Sequence, residues 1–241
     1  MAKFYGERIK KISLERLIEG FPIYFRTVRN ISEDPSELPD DLNVTTTNKE
    51  QFWKAIDFFT YGLAIAFALL IPAFIIYGEK VAKLTFLIRF LTIFSIFGFL
   101  LHYALIVFGS RGVKTEGTYT VYAYVLGLFM PLYILLSYPL FLTFGPAAVF
   151  GGEVDPKRIP PFFSERLAAV GIYSGIVRVI FVVVSVAIFL AWFSKSHGIS
   201  KIRVFLALGL AGSIDVVLLI FIINPFFNKV FVYADKFLSY L

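Results

Sequence analysis

Residues 167–194 read LAAVGIYSGIVRVIFVVVSVAIFLAWFS and contain one charged side chain, that of Arg178. A helix needs about 20 mostly apolar residues to cross a hydrocarbon core of about 30 Å. The stretch meets that requirement, and residues 204–228, which follow after a short polar loop, meet it as well. The sequence therefore predicts two neighbouring membrane-spanning helices that form an antiparallel hairpin.

Three upstream stretches have the same character, at residues 58–78, 84–108 and 118–144. The composition agrees, because 58% of the residues are hydrophobic, 17% are charged and the mean hydropathy is +0.78. Soluble domains have about 45–50% apolar and about 25% charged residues. We therefore predict an all-α, polytopic integral membrane protein with five transmembrane helices and an amphipathic N-terminal arm.

The chain divides into three parts on this basis. Residues 1–50 are predicted to form an amphipathic, interfacial arm with an acidic linker, residues 51–228 the five-helix transmembrane domain, and residues 229–241 an interfacial tail. The formal net charge of +6 is assigned to basic residues beside anionic headgroups rather than to nucleic-acid binding. The basic residues of the N-terminal region favour a cytoplasmic N-terminus.

The N-terminal arm has an apolar residue roughly every three or four positions, as an amphipathic helix does. An interfacial helix on an anionic leaflet is the favoured interpretation, and docking on a partner protein or packing on this chain's own loops are the alternatives. Five basic residues are predicted to contact lipid headgroups: Lys3, Arg8, Lys10, Lys11 and Arg16.

Two charged residues lie deep in the last two predicted spans, where an unpaired charge costs about 3 kcal/mol or more. Arg178 and Asp215 are equally far from the loop that joins these spans. We therefore predict an intramembrane ion pair that locks the hairpin, with a proton or ion relay as the alternative. Glycines near the two charges are predicted to allow close helix packing, namely Gly171, Gly175, Gly209 and Gly212.

The residue types that carry most membrane-enzyme chemistry are scarce. The chain has no cysteine and two histidines, which excludes disulfides, cysteine zinc sites and iron–sulfur clusters. No phosphate-binding loop or zinc-protease motif occurs, so we expect neither a resident metal nor an enzyme. His102 is expected to be a hydrogen-bonded core residue, with axial ligation of a single haem or chlorophyll as the alternative.

Aromatic, glycine and proline residues recur near the ends of three predicted spans. They are Gln51-Phe52-Trp53 with Asp57-Phe58-Phe59, Gly117-Thr118-Tyr119 with Tyr122-Ala123-Tyr124 and Pro131, and Trp192 with Gly198-Ile199-Ser200-Lys201 and Arg203. On these positions the chain, over about residues 51–228, resembles the prokaryotic members of the Ypt-interacting-protein (Yip) family of five-span membrane proteins. The resemblance implies a non-catalytic role, since eukaryotic members act in vesicle trafficking and membrane organisation through partner proteins.

Three functions are compatible with this sequence. The first is a non-catalytic membrane scaffold or adaptor that acts through integral membrane partners and lipid. The second is a small-solute or ion transporter or channel that uses the Arg178–Asp215 region and a kink at Pro131. The third is an accessory subunit of a redox or photosynthetic complex that holds a haem or pigment at His102.

Overall fold

The computed structural model describes residues 14–33, 35, 49–77, 82–140 and 167–227. Within these ranges the chain is helical and contains no β-strand. The helices are α1 (Leu14–Glu33), α2 (Lys49–Tyr77), α3 (Ala82–Val107), α4 (Thr115–Leu136), α5 (Leu167–His197) and α6 (Lys201–Leu218). The predicted tail at residues 229–241 lies outside the described residues.

Among these described residues, four helical stretches are long and apolar enough to cross a membrane: Glu50–Pro72, Thr115–Leu136, Ala169–His197 and Lys201–Phe227. This confirms the all-α class and indicates an integral membrane protein. In α3 the part whose side chains are described gives a shorter apolar stretch, Leu91–Val107. Helix α4 ends at Leu136, earlier than the predicted boundary at residue 144, and is followed by one more helical turn to Leu140.

Helix α4 lies at the centre of the bundle and packs most extensively on α2. The two backbones touch where Gly62 meets Gly127, since a Cβ atom at Gly62 would overlap the Gly127 carbonyl oxygen. A Cβ atom at Gly127 would lie 2.7 Å from Phe58 Cδ1. Small residues at such a crossing let membrane helices approach closely. This crossing therefore positions the first turns of α4, which carry the candidate site.

Stacked rings join α2, α3 and α4. Phe94 of α3 lies between Phe59 of α2 and Tyr122 of α4, with ring centroids 4.7 Å and 4.8 Å away and planes 8° apart in both cases. All three rings are buried. Such stacks add to the free energy of apolar burial and fix the rotation of each helix about its axis.

Helix α1 packs on the protein's own transmembrane helices. Tyr24 is buried, stacks on Phe58 and donates a 2.9 Å hydrogen bond to the Gly127 carbonyl. Trp192 Nε1 of α5 donates to the Pro35 carbonyl just beyond α1 (2.9 Å). The amphipathic pattern thus yields a helix that packs on α2 and α4 at Tyr24 and leaves Ile23 and Phe25 exposed. The interfacial position of the arm stays a prediction. Lys3, Arg8, Lys10 and Lys11 lie outside the described residues, as does the side chain of Arg16.

Helix α6 packs chiefly on α3 rather than along α5. Its buried residues recur at helical spacing on one face: Val204, Ala207, Ala211 and Asp215. Alanines at this spacing allow two helices to approach closely, so α6 packs on α3 through this side of small residues. Beyond Leu218 the helix widens into a π-turn, Leu219–Ile223, in which the Asn224 N–H donates to the Leu219 carbonyl.

Candidate functional site

Both histidines of the chain meet in one buried cluster of polar side chains. Thr118 Oγ1 lies 2.8 Å from His102 Nδ1 and 3.0 Å from His197 Nε2. His197 Nδ1 lies 2.8 Å from Ser196 Oγ, which donates to the Phe193 carbonyl (3.3 Å). We call His102, Thr118, Ser196 and His197 the polar cluster; it links α3, α4 and α5, and each member is at most 7% exposed.

Glycine-terminated helix ends place the two histidines. Helix α3 stops at Gly109 (φ +104°), where the Ser110 N–H bonds the Leu105 carbonyl (2.9 Å). Helix α5 stops at Gly198 (φ +62°), where the Ile199 N–H bonds the Ser194 carbonyl (3.3 Å). These are Schellman caps, in which glycine adopts a left-handed conformation without a Cβ penalty.

One arrangement of protons satisfies the whole polar cluster. Ser196 gives its hydrogen to Phe193, so it accepts from Nδ1–H of His197. Nε2 of His197 is then unprotonated and accepts from Thr118, whose oxygen accepts from Nδ1–H of His102. Both imidazoles are neutral in this arrangement. The chain of bonds ends at a main-chain carbonyl, which does not pass a proton onward, so the polar cluster is suited to holding three helices together.

A serine beside a histidine is also the arrangement of a hydrolytic nucleophile and its base. Here the Ser196 hydroxyl points back into its own helix and is 7% exposed. This geometry offers no room for a substrate at the oxygen. Among the described residues, no group of three or more potential metal ligands of the His, Asp or Glu type occurs.

Exposed basic residues surround this end of the bundle, and they are Arg111, Lys114, Lys195, Lys201 and Arg203. They belong to the α3–α4 turn, the end of α5 and the start of α6. A Cβ atom at Gly109 would lie 3.1 Å from Arg203 Nη1, so the α3–α4 turn and the start of α6 are neighbours. The polar cluster therefore lies just beneath a basic rim.

The predicted ion pair between Arg178 and Asp215 is not formed. Arg178 is exposed on α5, whereas Asp215 is buried on the face of α6 that packs on α3. Oδ1 of Asp215 has no hydrogen-bond partner among the residues described here. Equal distance from a turn fixes the depth of two residues but not the direction in which each faces, and here the directions differ.

The four glycines predicted to pack α5 against α6 also have open surroundings. A Cβ atom at Gly171, Gly175, Gly209 or Gly212 would meet nothing within 4 Å. The prediction is wrong because the described part of the chain uses other small residues for close packing: Gly62 and Gly127 between α2 and α4, and the alanines of α6.

His102 is a hydrogen-bonded core residue, as expected. Sequence reasoning missed the other three members of the polar cluster. A usable signal was present: the turns after the second and fourth predicted spans must lie on the same side of a membrane. His102 and His197 each lie close to one of these turns, and Thr118 begins the intervening span.

No protein-family model, no curated protein and no solved structure matches this chain.

Proposed function

We propose that this protein is a non-catalytic membrane scaffold or adaptor, whose α5 binds a helix of another integral membrane protein. One contrast carries the proposal. Where α2 crosses α4, glycine meets glycine with backbones in contact, whereas the Gly171 and Gly175 pair of α5 has no neighbour within 4 Å. A glycine pair spaced by four residues is a recurrent contact face between membrane helices.

The exposure of α5 agrees with this role. In the most apolar 18-residue window of its span, Ala169–His197, 17% of the residues are buried inside the chain, against 61% in the corresponding window of the central span Thr115–Leu136. The polar cluster and the basic rim then anchor one end of α5 while the other end is free for a partner. We further propose five crossings, with α3 as the additional one, as in the Yip family that the sequence resembles. The basic rim and the N-terminus would face the cytoplasm, and the rim would contact anionic lipid.

The experiment isolates the protein from its native membrane in mild detergent and measures the mass and absorbance of the particle. The native chain is expected to purify with a stoichiometric membrane protein. Gly175→Leu, which fills the open face, should lose that protein. Ile180→Leu is the matched control, because Ile180 lies about two and a half turns from Gly171 and so faces the opposite side.

Two results would contradict the scaffold, and a third would contradict the use of the glycine face. A particle that contains this chain alone around a polar cavity would favour transport. A bound chromophore would favour the accessory redox or photosynthetic subunit. A partner retained equally by both variants would show that the glycine face is not used.

A transporter is the second candidate, and Asp215 is the observation that favours it. A buried carboxylate oxygen without a hydrogen-bond partner is an unusual and costly feature within an apolar span. A transport role requires that Asp215→Asn abolish solute or proton flux in vesicles while the protein still folds.

A further inference from the structure

One face of α5 combines the two open glycines with a positive charge. Gly171, Gly175, Arg178 and Val182 are spaced by four, three and four residues, so they lie on one side of the helix. All four are exposed. We call these four residues the α5 face. It borders the buried side of α5, which includes Ser174.

The charge on the α5 face lies far from both ends of the helix. Arg178 is roughly 17 Å from Leu167 and roughly 29 Å from His197 along the axis, at 1.5 Å per residue. Charged residues within membrane-spanning helices usually pair with another group, so Arg178 is expected to have a partner. The ion pairs among the described residues are Arg29–Glu33 and Lys54–Glu50, and neither involves Arg178.

We propose that the α5 face binds a transmembrane helix of another protein that carries a carboxylate at the depth of Arg178. The inference rests on the proposed scaffold function and names the chemistry of its partner. The glycines let the partner's backbone approach, and the carboxylate neutralises the guanidinium in a region where water does not compete for it.

A second copy of this chain is a poorer occupant. In a two-fold symmetric contact centred on the glycines, Arg178 of each copy would lie close to Arg178 of the other. Within the described part of the chain, the acidic residue of similar depth is Asp215, which is buried against α3 and cannot reach the α5 face of another copy. The positive charge of Arg178 therefore favours a different protein, rather than a second copy of this chain, as the partner.

The test uses the full chain in neutral phosphatidylcholine vesicles and three synthetic transmembrane peptides. Each peptide is a Leu/Ala helix of about 24 residues with a Gly-x-x-x-Gly pair. At one central position it carries Glu, Gln or Lys. A fluorophore attached at Ile180→Cys reports binding of a peptide by energy transfer. This position faces away from the α5 face, and the chain has no native cysteine that would also be labelled.

The native chain should bind the Glu peptide about tenfold more tightly than the Gln peptide, and the Lys peptide least. Arg178→Leu should abolish these differences. Arg178→Glu should reverse them, so that the Lys peptide binds best. The reversal guards against loss of binding through misfolding, because a misfolded chain would not gain a new preference.

Equal binding of the Glu and Gln peptides to the native chain would overturn the inference. Energy transfer between two labelled copies that is stronger than transfer to any peptide would also overturn it, in favour of self-association. These failures differ from failure of the scaffold function. If Gly175→Leu loses a native partner but the three peptides bind equally well, the scaffold function is supported. In that case the proposal that the partner carries a carboxylate is refuted.

Discussion

Replacing Thr118 by valine tests whether its hydroxyl joins α3, α4 and α5. Valine has nearly the same shape, so the change removes one oxygen and leaves the packing intact. His102 Nδ1 and His197 Nε2 then lose their shared partner in a buried site. Each unsatisfied buried group costs about 1–3 kcal/mol, so we expect a total loss of about 2–6 kcal/mol in the free energy of unfolding.

Thr120→Val is the matched control. Thr120 is also fully buried in α4, but its hydroxyl donates to the carbonyl of Glu116, four residues earlier in the same helix (2.7 Å). Its loss leaves no side chain without a partner, and we expect a change below about 1 kcal/mol. Thermal unfolding of the detergent-solubilised proteins, followed by intrinsic fluorescence, measures both. Equal destabilisation by the two variants would refute the joining role of the polar cluster.

Four further substitutions test the packing and the buried polar groups. Gly127→Ala should destabilise the protein by about 1–3 kcal/mol, because the added Cβ meets Phe58 at 2.7 Å, whereas Gly175→Ala should be neutral or stabilising in the same unfolding assay. Asp215→Asn should raise stability at neutral pH by about 1 kcal/mol, since it removes a buried charge with an unpaired oxygen; a loss of stability would reveal a partner for that oxygen. Burial raises the pKa of Tyr24 to about 12, so the neutral phenol stabilises the fold below about pH 10, and this contribution should disappear between about pH 10 and pH 12. Tyr24→Phe should cost about 1 kcal/mol at neutral pH and remove that part of the alkaline loss.

Hydrophobic length predicts the helices of this chain well. The spans expected at residues 58–78, 167–194 and 204–228 overlap α2, α5 and α6, because length and apolar content are local properties of a sequence. The pairing of the helices was predicted less well. The helix on which α6 packs depends on how well its surface fits each neighbouring helix. The side of α6 that includes Ala207 and Ala211 packs on α3 more extensively than α6 packs on α5.

The candidate site likewise depends on how the helices pair, which the sequence predicts less well than the helices themselves. His102 was recognised as a core residue, but its partners come from two other helices, and no local pattern marks them. Their meeting depends on the crossing of α2 and α4 at Gly62 and Gly127, which sets the depth of Thr118. The predicted pair between Arg178 and Asp215 is absent because the two side chains face different directions, and hairpin symmetry carries no information about rotation of a helix around its axis.

Photo-crosslinking from single cysteines on α5 in the native membrane tests the central claim most directly. Val182 and Ile180 are 55% and 58% exposed, and they lie on the α5 face and on the opposite side of the helix respectively. A short photoreactive label at Val182→Cys should crosslink one membrane protein, the label at Ile180→Cys should crosslink lipid, and adding Arg178→Leu should remove the protein adduct. Lipid adducts alone at both positions would contradict the account.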